Sequence, residues 1–150
     1  MSISIILVPL AVAAVAAWEG ARQDDSVPGQ RICHVGTRMR DETLLIAALR
    51  DTRAETSRIG ADLIADWHSV RATFQRGTDG VWSAHLTGNV DEEGAMAIVR
   101  EVDRAYGSQV QQAVVRRLRD QAPAAGMRVE SQNVEDDMSV TMVLAVDGSR

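Results

Sequence analysis

Between Val70 and Thr87 the side chains alternate with a period of two on either side of the turn Gly77-Thr78-Asp79-Gly80. In the first arm Val70, Ala72 and Phe74 alternate with Arg71, Thr73 and Gln75. In the second, Trp82, Ala84 and Leu86 alternate with Val81, Ser83 and His85. Strict alternation over this length marks half-buried strands. A short loop with two glycines reaches positive φ without a Cβ penalty, so the stretch predicts an antiparallel hairpin. Its apolar face requires a cover, and helical patterns lie on both sides of it.

Upstream, Ile32 to Met39 is strand-like, and Asp41 is placed to cap a helix running to about Asp51, with Leu44, Leu45, Ala48 and Leu49 on one face. Arg53 to Trp67 fits a short helix or a bent strand equally, and both readings stay open. Downstream, Asp91 is an N-cap, and Glu92 and Glu93 fall in the first turn, where the helix dipole favours negative charge. Ala95, Ile98, Val99, Val102 and Ala105 form one helical stripe that ends near Tyr106-Gly107. A second helix is expected from about Ser108, with Val110, Ala113, Val114 and Leu118 as its stripe and Arg116, Arg117 and Arg119 in its last turns. Pro123 and Gly126 end it. Met127 to Val134 and Met138 to Val146 then read as a second hairpin around Glu135-Asp136-Asp137. The expected fold class is α+β, a largely antiparallel sheet with helices packed on one face, in a single domain of residues 31–150 preceded by an apolar N-terminal segment.

That segment, residues 1–23, contains the uncharged run Ser2 to Trp18 and is followed by a polar linker over residues 24–30 that includes Pro28-Gly29. As a helix the run would reach about 25 Å, a little short of a hydrocarbon core. Trp18 at its end and Arg22, Arg31, Arg38 and Arg40 after it suit an anchor with the bulk of the chain in the cytoplasm. Three readings stand together: a membrane anchor, a secretory signal, and burial in the fold or against a partner in a soluble cytoplasmic assembly. Pro9 bears on them, because it can open a soluble helix and leave Ile3, Ile5, Ile6 and Val8 as a short strand. On the burial or anchor readings Ile5, Leu10, Val12 and Trp18 are the candidate contact residues, joined at the surface by Arg116, Arg117 and Arg119.

Several chemistries are excluded. A net charge of -5 argues against a general phosphate-binding surface, so no nucleic-acid partner is expected. All 16 basic residues are arginine, which removes Schiff-base chemistry, a lysine base and a P-loop. Cys33 is the single cysteine, so there is no internal disulfide, C-x-x-C pair or cysteine-rich zinc site. His34, His68 and His85 show no metal-ligand spacing, although His34 and His85 would meet if the first strand joined the hairpin. Cys33 and His34, as neighbours in a strand, point to opposite faces. No serine sits in a nucleophile-elbow context, and Glu135-Asp136-Asp137 lacks the spacing of a calcium loop. No cofactor is implied.

The pattern Val35-x-Thr37-x-Met39-x-Asp41-x-x-x-Leu45-x-x-Ala48-Leu49 resembles the opening of the plastid and cyanobacterial ycf thirty-five proteins, a family of unknown function. The later parts correspond in order: the hairpin Val70 to Thr87, the pair Ala105-Tyr106, Gly126-Met127, and Asp137-Met138-Ser139-Val140. The resemblance spans about Arg31 to Val146. It implies an AAA-type ATPase as a partner and no activity of the chain's own. Two function classes follow. The favoured one is a non-enzymatic interaction or adaptor protein, anchored or self-associating through its apolar N-terminus. The rival is a small enzyme or ligand-binding domain using His34, His85 and arginines, which requires those groups to converge with a carboxylate.

Overall fold

The computed structural model describes residues 2–7 and 33–147. The elements run β1 (Ser2–Leu7), β2 (Cys33–Gly36), α1 (Glu42–Asp51), β3 (Glu55–Ile59), β4 (Asp62–Trp67), β5 (Val70–Arg76), β6 (Trp82–Gly88), α2 (Glu92–Gln121), β7 (Met127–Val134) and β8 (Val140–Val146). The fold is α+β, with two helices and two antiparallel sheets: five strands in the order β2-β6-β5-β4-β3, and three in the order β1-β8-β7. The described chain forms two compact units, one within residues 33–106 and one made of residues 2–7 with 107–147.

In the first unit the expected hairpin forms as β5 and β6, with Ala72 opposite Leu86 and Phe74 opposite Ala84. Paired residues share a face, so Ala72, Phe74, Trp82, Ala84 and Leu86 line one side, and all five are at most 1% exposed. Leu45 and Leu49 of α1 and Ala95, Val99 and Val102 of α2 belong to the same core. Asp41 caps α1 by accepting from the Leu44 N–H at 3.0 Å, and Asp91 accepts from the Gly94 N–H at 2.8 Å at the start of α2. At the end of β6, Gly88 has φ 115° and lies opposite Val70, in a close backbone approach that a Cβ would block.

Arg53 to Trp67, open in sequence, is a hairpin of β3 and β4. The pair Ile59–Asp62 leaves a two-residue loop, with Gly60 at φ 62° in its first position, a turn that matches the twist of the strands.

The two helices expected around Gly107 are one helix of 30 residues. A glycine in a helix interior costs only about 1 kcal/mol relative to alanine, and no proline accompanies it, so the ladder continues. The helix ends as expected at Pro123–Ala125, a single 3₁₀ turn, with Gly126 in the left-handed region at φ 68°.

In the second unit β7 and β8 form the predicted second hairpin, with a register shift between Val129 and Ser131. Asp137 accepts from the Ser139 N–H at 2.9 Å and shapes the turn. Within the N-terminal run, Ser2–Leu7 is a strand antiparallel to β8, with Ile3 opposite Leu144 and Leu7 opposite Val140. The short-strand reading therefore holds for residues 2–7. Residues 8–32, including the rest of the apolar run and the linker, lie outside the described residues. Among the described residues no helix is long and apolar enough to cross a membrane. The core here is Val115, Ala122, Val140, Met142 and Leu144, with Ile5, Leu7, Leu118, Met127 and Val129 packed against it.

Candidate functional site

The face of the five-stranded sheet opposite its core carries the polar set that the alternation assigned outward. One row across the strands is Ser57, Ile64, Thr73, His85 and His34. The neighbouring rows hold Asp62, Gln75 and Ser83 on one side and Asp66, Arg71 and Thr87 on the other. Apart from Ile64, these side chains are exposed or half-buried.

His34 and His85 are directly opposite each other on β2 and β6, with ring centroids 4.5 Å apart and planes inclined at 45°. The meeting foreseen from the sequence therefore occurs. Cys33, next to His34, faces the core and is 9% exposed, as alternation requires. His68 stands apart from the pair, in the loop between β4 and β5 at φ 32°. Partial burial pushes the His85 pKa down from the ordinary imidazole value, the charge of His34 adds to that, and Asp62 acts in the opposite direction.

General acid–base work needs a base oriented by a third group. The carboxylates on this face are engaged elsewhere. Asp62 accepts from Gln75 Nε2 at 3.0 Å, and Asp66 takes Arg71 in a two-pronged contact at 2.6 and 3.2 Å. Among the described residues no group of three His, Cys, Asp or Glu side chains is gathered for a metal. The enzyme reading asked for His34, His85 and a carboxylate together; the two histidines converge and the carboxylate does not.

The candidate interaction residues fall in the second unit or beyond the description. Ile5 is half-buried in β1, against the second core. Leu10, Val12 and Trp18 lie outside the described residues. Arg116 and Arg117 are exposed on α2, and Arg119 donates to Gln132 Oε1 on β7. The arginines are thus solvated, with one tied to its own sheet.

Among the described residues the four sheet edges differ. β3 carries Glu55 and Arg58, β7 carries Arg128 and Glu130 and is interrupted by the register shift, and β2 is only four residues long. β1 has six residues, no charge and no interruption, with Ile3 48% and Ile6 63% exposed. Charge, bulges and shortness are among the ways sheets protect their edges, and among the described residues β1 shows none of these three. From the sequence this stretch reads as an anchor, a secretory signal, a buried contact segment or a short strand. Its role as an edge became visible only with the β8 pairing.

The residues behind the family resemblance do structural work. Thr37 donates to the Trp82 carbonyl, Asp41 caps α1, and Met39, Leu45, Ala48 and Leu49 are fully buried. The Tyr106 hydroxyl accepts from the Arg40 and Asp41 N–H groups at 3.2 and 3.0 Å. No protein-family model, curated protein or solved structure matches the chain.

Proposed function

We propose that the chain is a non-enzymatic interaction protein that self-associates through the outer edge of β1, extended by the apolar run that follows it in sequence. The observation that supports this most is the composition of that edge: six uncharged residues with two half-exposed isoleucines, beside three edges that are charged, interrupted or short. Two copies related by a two-fold axis normal to the sheet would pair antiparallel, which needs nothing but the strand itself. Because faces must match, odd positions pair with odd ones. A ladder centred on Ile5 sets Ile3 opposite Leu7 of the second copy, and Ser4 opposite Ile6.

A five-residue ladder supplies main-chain hydrogen bonds worth about 0.5–1.5 kcal/mol each, against an association cost of about 4–15 kcal/mol. The edge alone therefore gives a weak dimer, and apolar burial beyond Leu7 is needed for a tight one. An AAA-type ATPase remains the partner suggested by the family resemblance, with the assembled edge as its platform.

The test is sedimentation velocity of the full chain and of Ile6→Lys, with vesicle flotation alongside. Ile6 projects from the face away from the second core, so the substitution leaves that core intact. Self-association of the native chain that the lysine weakens supports the proposal. A native chain that stays monomeric and floats with vesicles turns the reading to a membrane contact. A chain that is monomeric and does not float removes both.

A further inference from the structure

The rings of His34 and His85, two metal-ligating side chains, lie side by side, and no hydrogen bond among the described residues occupies either imidazole. They are opposite partners on adjacent antiparallel strands, where Cβ atoms lie about 4.5–5.5 Å apart. That spacing lets two imidazoles reach one ion without moving the backbone. The rings lie at the β2 edge of the sheet, on its polar face, with His34 exposed and His85 half-buried.

We infer that His34 and His85 form a two-imidazole site for a divalent transition-metal ion, of which copper(II) is the best match. The donor chemistry carries the choice of ion. A metal–nitrogen bond of about 2.0 Å, with about 1.2 Å from nitrogen to ring centre, sets each centroid about 3.2 Å from the ion. Two such rings are about 4.5 Å apart when they bind at a right angle and about 5.2 Å apart at the tetrahedral angle. The ring separation of 4.5 Å is close to this range, so both imidazoles can reach one ion. Imidazole suits zinc, copper and nickel, and copper(II) heads the affinity order for nitrogen donors.

No third His, Cys, Asp or Glu joins the pair among the described residues. The remaining positions are therefore filled by water, and the ion stays exchangeable. The charged groups on the same face, Asp62, Asp66 and Arg71, leave it electrostatically mixed, so a divalent ion meets no single-sign barrier. This inference is independent of the self-association proposed above, which concerns the other sheet.

The experiment is a titration of the full chain, without an affinity tag, with copper(II) alone, followed by isothermal calorimetry and by electron paramagnetic resonance. It is repeated for His34→Gln, His85→Gln and His68→Gln. One ion per chain with nitrogen hyperfine structure is expected, weakened at least tenfold by His34→Gln and by His85→Gln and unchanged by His68→Gln. Circular dichroism of each variant confirms the fold, and because two different substitutions remove the same site, loss of fold in one leaves the other to decide. Binding that survives both, that depends on His68, or that is absent at micromolar copper overturns the inference.

Discussion

Replacing Gly88 with alanine isolates how closely two backbones approach where β5 meets β6. At φ 115° the residue occupies a region that side chains rarely adopt. A Cβ there would lie 2.2 Å from the Ser69 carbonyl oxygen and 3.2 Å from both the Ser69 carbonyl carbon and Val70 Cα. All three atoms are backbone, so no rotamer change relieves the clash. Relief requires opening the Val70–Gly88 pair and loosening the Asn89 N–H bond to Ser69 O, now 3.1 Å. The strained φ costs about 1–3 kcal/mol and the weakened bond about 0.5–1.5 kcal/mol, so a loss of about 3 kcal/mol is expected. The internal control is Gly36→Ala, a strand position where a Cβ meets nothing within 4 Å. It should be neutral or stabilise by up to about 1 kcal/mol. Urea unfolding followed by tryptophan fluorescence reports on both, since Trp67 and Trp82 belong to this unit. Two variants that both stay within about 0.5 kcal/mol of the native chain would refute the close approach.

Phe74→Ala should cost about 3–5 kcal/mol in the same assay, because the ring is 1% exposed, whereas Arg71→Ala on the other face, with its exposed pair to Asp66, should cost less than about 1 kcal/mol. Equal effects would mean that the two faces are exchanged. His85 predicts a pH dependence: its pKa is lower folded than unfolded, so between the two values the unfolded chain binds more protons and stability rises with pH. Acidification from neutrality through the imidazole range should therefore destabilise the chain in the presence of a chelator, and His85→Gln should flatten that slope; an unchanged slope would contradict it.

The parts of the fold legible in the sequence were those with a single dominant signal. The alternation from Ala72 to Leu86 defined both faces of a hairpin, and Asp41 and Asp91 marked helix starts that the structure retains. The β3–β4 hairpin was ambiguous because Ile59, Leu63, Ile64 and Trp67 fit a helical stripe as well as strands. The better signal was the glycine opening its two-residue turn, Gly60-Ala61. Gly107 read as a helix end because glycine often stands there, yet within a run of helix formers its penalty is small. For the polar face, the meeting of His34 and His85 depended on which strand joins the β6 edge, a long-range choice that local pattern states only as a condition. The partition into two units was hidden for the same reason: β1 pairs with β8 across almost the whole chain.

The central claim is that the outer edge of β1 is a contact. Backbone hydrogen exchange measured at low and high protein concentration tests it most directly. Self-association predicts that amides of Ser2–Leu7 gain protection with concentration, that those of the bulged and charged β7 edge do not, and that Ile6→Lys abolishes the gain. Amides of β1 that exchange at one rate at every concentration, in a chain that nevertheless associates, would contradict it.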